Sequence, residues 1–259
     1  MTIDRNAIKA EARDRMRSAL PRPYYEGLIF VLVSGILLAL SYRILSVNIT
    51  AESSQKYLSL ILAGNYDSAL RYAEKLRPSS LDSFISMVLE LFRNLLYVGL
   101  SIFSLNTLRR RESSLWNLLD CFSRFFPLVV LLLLRSLLIT VWLQLLIIPG
   151  ILAAYRYRMA AYLMLDHREF SAIPAIVFSG QLMKGKKWSL FLLDLSFLGW
   201  FLLSLLPLML GALFAGWIPL IAGACGSAAI LAWVLPYYEL SCVGFYEAIK
   251  DELTIPSVL

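Results

Sequence analysis

The sequence predicts an all-α, polytopic membrane protein with six transmembrane helices and additional interfacial amphipathic helices. Three observations carry this. Of its 259 residues, 59% are hydrophobic and only 16% charged, too little polar surface for a soluble chain of this size to cover its core. Several apolar runs reach the roughly 20 residues needed to cross about 30 Å of hydrocarbon. The runs are continuous rather than alternating, which excludes a transmembrane β-barrel.

The elements follow in order, within a single integral membrane domain over 1–259. Residues 3–20 place Ile8, Ala12, Met16 and Leu20 on one face, opposite Arg, Lys and Asp. That spacing predicts an interfacial amphipathic helix, ended by Pro21 and Pro23, in a cytoplasmic segment 1–26. A first crossing is predicted at 27–47. It is longer than the roughly 7–15 residues of a signal-peptide core, and Ala39-Leu40-Ser41 is a weak cleavage site, so it reads as a retained helix. Residues 48–82 form a polar, extracytoplasmic segment with a short helix near 52–75, interrupted at Gly64-Asn65. The second crossing, 83–107, stops at Arg109-Arg110-Arg111. An elbow follows, where Leu115, Leu118, Leu119, Phe122 and Phe126 share one face. The third crossing, 126–148, ends in a hairpin at Pro149-Gly150, and the fourth returns over 151–165. A second elbow, 169–187, directs Ile173, Ile176, Val177 and Gly180 towards lipid. The fifth and sixth crossings span 188–214 and 219–246.

Charge orients the chain. Segments 1–26, 109–124, 166–187 and 247–259 carry fifteen of the 24 Lys and Arg residues, against four in 48–82. By the positive-inside tendency both termini are cytoplasmic, which agrees with six crossings. The net charge of +6 lies mostly in short loops, with no basic groove interleaved with aromatics. This argues for contact with anionic membrane lipids and against nucleic acid.

Chemistry-bearing motifs are few. Cys121, Cys225 and Cys242 lack any pairing or metal-ligand spacing, so neither disulfides, a metal nor a cofactor is expected. No zinc-protease, phosphate-loop or nucleophile-elbow motif occurs, and the lone His167 reads as a surface residue. An enzyme is not expected. The stronger signal is charge inside crossings: Arg135, Arg156, Arg158, Asp194 and Glu239, with Tyr155 on the face of Arg158 and Tyr162. At about 1.5 Å per helical residue, Arg158, Asp194 and Glu239 fall at similar depths. Such a layer either lines a polar cavity that holds an anionic group, or consists of pairs that neutralise one another between helices. Glu90 and Arg93, three apart on one helix, read as a local pair. Small residues from Ala222 to Ala229 read as a close-packing face.

Several motifs carry a family resemblance. They are Ile148-Pro149-Gly150-Ile151, Tyr155 through Met159-Ala160, and Met183-Lys184-Gly185-Lys186-Lys187-Trp188. Phe191, Leu195-Ser196-Phe197-Leu198-Gly199-Trp200, Pro236-Tyr237 and Phe245-Tyr246 complete the set. Over about residues 110–250 the chain resembles a bacterial integral membrane family catalogued as domain of unknown function 975. It departs in the basic Tyr155-Arg156-Tyr157-Arg158 and the long 48–82 segment. The resemblance implies a multi-helix protein of the bacterial inner membrane and no established reaction. Two functions fit. One is a non-catalytic accessory or scaffold protein that binds membrane lipids or membrane-protein partners. The other is a transporter or permease-like protein with a cytoplasm-facing cavity for a small anionic or amphipathic solute. No broken helix pair is expected near the midplane, which favours the first. Oligomeric state is not legible.

Overall fold

A computed structural model of the chain describes residues 4–46, 50–214 and 216–253. The first residue of the predicted amphipathic segment, the 47–49 junction, Ala215 and most of the polar tail lie outside the described residues. All regular structure among the described residues is helical. The chain divides into two units, one of residues 1–32 with 95–259 and one of residues 33–94.

The larger unit begins with α1 (Arg5–Ser18). The Asp4 carboxylate caps it by accepting from the backbone N–H groups of Asn6 at 2.9 Å and Ala7 at 3.2 Å, which satisfies donors that a helix start leaves free. Ile8, Ala12 and Met16 are buried in a core with Leu240 and Val243. Three of the four residues predicted to face lipid are thus covered by protein, chiefly by α12 (Trp217–Lys250), while Leu20 is exposed. At those three positions a protein surface takes the place expected of the membrane.

Among the described residues five helices are long and apolar enough to cross a membrane: α2 (Pro23–Leu45), α5 (Ser80–Leu108), α7 (Phe125–Leu145) with the turns before it, α11 (Lys187–Leu213) and α12. The predicted fourth crossing is not one helix. It divides into α8 (Ile147–Arg156) and α9 (Ala160–Asp166). No proline or glycine breaks it. Instead Arg158 N–H bonds to Tyr155 at 3.4 Å and Ala160 N–H to Tyr157 at 3.3 Å, three residues back rather than four. The Arg156 carbonyl, freed by this tightening, accepts from Ser179 Oγ at 2.8 Å. A donor from the neighbouring α10 (Ala172–Leu182) therefore stabilises the break.

The hairpin predicted at Pro149-Gly150 turns slightly earlier, at Leu146. Pro149 occupies the first turn of α8, where its missing N–H costs nothing. A Cβ on Gly150 would come within 2.4 Å of Leu143, so glycine permits α8 to fold directly back on α7. The α11–α12 hairpin closes similarly. A Cβ on Gly223 would lie 2.3 Å from the Pro207 carbonyl, and one on Gly211 2.3 Å from that of Pro219. The expected small-residue face packs closely.

α5 ends in a left-handed cap. Arg110 has φ +55°, and the Arg111 N–H reaches back to Asn106 at 2.9 Å, a place where glycine is usual. Between this cap and α7 lie the short α6 (Asn117–Asp120) and a 3₁₀ turn, Cys121–Arg124, in the predicted first elbow.

In the smaller unit α3 (Ala51–Leu62) is capped by Thr50, and α4 (Tyr66–Leu76) by Asn65. Gly64, at φ +73°, makes the turn between them, at the predicted interruption. Arg93 Nε donates to Glu90 at 2.9 Å, forming the expected local pair.

Candidate functional site

Glu239 is the centre of the first polar cluster. It is completely buried on α12. Its Oε2 accepts from the Tyr97 hydroxyl at 2.5 Å, and its Oε1 from Ser101 Oγ and the Tyr162 hydroxyl, both at 2.6 Å. Tyr97 and Ser101 stand one turn apart on α5 and so present their hydroxyls together. Tyr162 comes from α9 and stacks on Tyr246 with ring centres 5.4 Å apart. One carboxylate joins three helices, with three donors in place of one counter-charge.

Asp194 on α11 centres the second. Its Oδ2 accepts from the Tyr155 hydroxyl and its Oδ1 from the Tyr238 hydroxyl, each at 2.9 Å. Arg158, in the α8–α9 break, places Nη1 4.0 Å from Asp194. That is an ion-pair distance and too long for a hydrogen bond. Its Nη2 donates to the Tyr238 hydroxyl and lies 3.7 Å from Cys242 Sγ. Arg158 and Asp194 are thus brought together, Glu239 centres its own cluster, and both carboxylates are closed off by hydroxyls. Arg135 on α7 lies within electrostatic range of Arg158 and Glu239. It makes no hydrogen bond or ion pair among the described residues. Arg156 is outside the layer. It is exposed, with its guanidinium 5.7 Å from the Tyr157 ring centre, because residues two apart on a helix face different ways.

The family-type motifs surround this layer. Lys9 Nζ donates to Ser196 Oγ at 3.1 Å and lies 4.9 Å above the Phe197 ring. Burial, and then nearby Arg13, lower its pKa. Trp200 and Tyr237 both pack on Trp233. Pro236 fills the space that a Cβ on Gly27 would occupy. Trp188 stacks on Phe191, Met183 is buried, and Lys184 is exposed. Gly185, at φ +77°, turns the chain into α11. Nothing in the structure explains why position 199 is glycine.

A third cluster escaped sequence reasoning. Arg109 holds Asp166 in a two-pronged pair, Nη1 to Oδ1 at 2.6 Å and Nη2 to Oδ2 at 2.7 Å. Its Nε donates to Glu247 at 2.8 Å. The Tyr246 hydroxyl donates to Asp166 at 2.8 Å, and Lys250 pairs with Glu247 at 2.7 Å. Burial alone would raise the Asp166 pKa, but the bonds from Arg109 and Tyr246 hold it below the usual carboxylate range. The triple arginine had served only as a topology signal. Acidic residues at the ends of two other predicted helices were the clue to its partners.

Two cavities flank this pair, of about 590 Å³ and about 750 Å³. Neither is lined by Arg135, Arg158, Asp194 or Glu239.

Glu26, near the start of α2, is completely buried, and neither carboxyl oxygen has a partner among the described residues. A charged group so placed would be costly. Glu26→Gln is expected to leave the thermal midpoint in detergent unchanged or raise it by a few degrees. A fall of more than a few degrees would show that the carboxylate itself is needed.

The fold and its polar clusters define an all-helical, membrane-compatible protein with acidic groups bonded between helices. Residues 138–252 match the family model described as "Protein of unknown function (DUF975)", the family that the motifs resemble. The matched stretch holds Arg158, Asp194 and Glu239, whereas Tyr97, Ser101 and Arg109 precede it. No curated protein and no solved structure matches the chain.

Proposed function

We propose that this chain is a non-catalytic, multi-pass protein of the bacterial inner membrane, serving as an accessory or scaffold that binds lipid or other membrane proteins. The observation that carries this reading is the closure of the charged layer. Every oxygen of Asp194 and Glu239 accepts a hydroxyl from a neighbouring helix, an arrangement suited to fixing helices in register. α8 and α9, taken as one interrupted crossing, give six crossings. Both ends then lie on the cytoplasmic side, in keeping with the charge asymmetry.

One observation favours transport as a second reading. The α8–α9 break puts Arg158 within a discontinuous helix, as substrate-binding segments of transporters often are, and the Arg135 side chain, within electrostatic range of Arg158, has no hydrogen bond or ion pair among the described residues. The break interrupts one helix, whereas the expectation concerned a pair of broken helices near the midplane. Flux through reconstituted liposomes separates the readings. An accessory protein leaves chloride and phosphate flux at the level of protein-free liposomes. A protein-dependent flux abolished by Arg158→Gln or Asp194→Asn would overturn the first reading and establish the second.

A further inference from the structure

The cavity of about 590 Å³ beside the end of α5 is amphipathic. Its lining includes Leu128, which is fully buried, Leu105, nearly so, and the partly buried Leu165. Arg109, Arg111, Arg124 and Arg168 line it too, with Arg111 and Arg168 exposed at its open side.

These four arginines are not equally engaged. Arg109 is committed to Asp166 and Glu247. Arg124 donates to main-chain carbonyls of Met164, Arg168 at 2.9 Å and Phe170 at 3.4 Å. Carbonyls orient its guanidinium but leave its charge in place. The guanidinium groups of Arg111 and Arg168 have no hydrogen bond or ion pair among the described residues. Against these three unneutralised cations the cavity offers one further carboxylate, Asp120, which accepts from Asn117 Nδ2 at 2.5 Å. The site therefore has a surplus of positive charge, with Leu165 as the leucine that keeps part of its surface open.

Its level in the fold identifies the class of ligand. Arg109 directly follows Leu108, the last residue of a helix apolar enough to cross a membrane. The adjoining elbow exposes Trp116 and Phe126, residues suited to the headgroup region. A soluble anion needs no position at the end of a membrane-length helix beside exposed aromatics, and a neutral lipid has no use for the arginines. We infer that this cavity binds an anionic glycerophospholipid, its phosphoryl group held by Arg111, Arg168 and Arg124 and its apolar part beside Leu165. Guanidinium groups match the geometry of phosphate oxygens, and basic pockets on the cytoplasmic side of helix bundles take such headgroups. The inference deepens the lipid-binding part of the reading above and rests on it.

The test is thermal melting of the full chain in neutral detergent, with added phosphatidylglycerol, phosphatidylcholine or sodium phosphate. Phosphatidylglycerol should raise the midpoint saturably, while phosphatidylcholine and phosphate should not. In Arg111→Gln/Arg168→Gln apparent affinity should fall about 30-fold, from two arginines at their typical strength against an anionic headgroup. Arg5→Gln/Arg17→Gln, which removes the same charge from α1, should retain the wild-type response. None of these four side chains has a described partner, so an unchanged midpoint in phosphatidylcholine verifies folding. A full response in Arg111→Gln/Arg168→Gln would overturn this site while leaving lipid binding intact. No response of the wild type to phosphatidylglycerol would overturn the site and the lipid-binding reading together. An equal response to sodium phosphate would overturn the lipid assignment in favour of a soluble phosphoryl anion.

Discussion

Glu239→Ala is expected to destabilise the protein by about 3 kcal/mol, the largest effect of a single side-chain removal in the charged layer. The substitution deprives three hydroxyls of their acceptor, those of Tyr97, Ser101 and Tyr162. Ser101 retains the Tyr97 carbonyl at 3.1 Å as an alternative, so two tyrosines bear most of the loss. Each buried hydroxyl left unbonded costs about 1–3 kcal/mol. Helices unfolded within a membrane find other partners, which pulls the sum towards the lower end. Glu239→Gln keeps the shape and one acceptor, and should cost only about 1 kcal/mol. Unfolding in detergent by denaturant or heat measures both. Equal and small losses would show that Glu239 does not join α5, α9 and α12.

Arg109→Ala should cost about 2 kcal/mol, less than a fully buried pair because solvent reaches the rim of this cluster. The guanidinium ties the end of α5 to Asp166 at the end of α9 and to Glu247 on α12, and its removal leaves two carboxylates together. The effect depends on pH in a definite direction. The folded-state pKa of Asp166 is depressed, so its pairing stabilises fully above the unfolded value of about 4 and is lost as pH falls through the folded value. The difference in midpoint between wild type and Arg109→Ala should therefore shrink as pH is lowered below about 4. A constant or growing difference in acid would contradict the assignment of Asp166 as its partner.

These two clusters show what the sequence could and could not reveal. The long spans were legible because continuous apolar length is a local property, and the capped turn at Gly64-Asn65 because its chemistry is local as well. The α8–α9 break was not, since it depends on Ser179, far along the chain, meeting the Arg156 carbonyl. Asp194 and Glu239 stood out as charges among apolar residues. Their partners did not: Tyr97, Ser101 and Tyr238 look like ordinary core residues until the helices pack. Arg156 and Arg158 were equivalent by composition, and only the helical path separated them. Glu26 escaped notice for a related reason. It stands near a helix start, where an acidic residue is usual, and only the packed fold shows that it is buried, next to a Gly27 that meets Pro236.

The central claim is that the layer around Arg158, Asp194 and Glu239 is closed. Cys242 reports on it directly, being completely buried and 3.7 Å from Arg158. In a Cys121→Ala/Cys225→Ala background Cys242 is the only thiol left in the chain. A small, water-soluble methanethiosulfonate reagent applied to everted membranes should leave it unmodified while the protein is folded, and modify it fully after denaturation. Rapid modification in the folded protein, slowed by an added anion, would reveal a water-filled path to the layer and contradict this account.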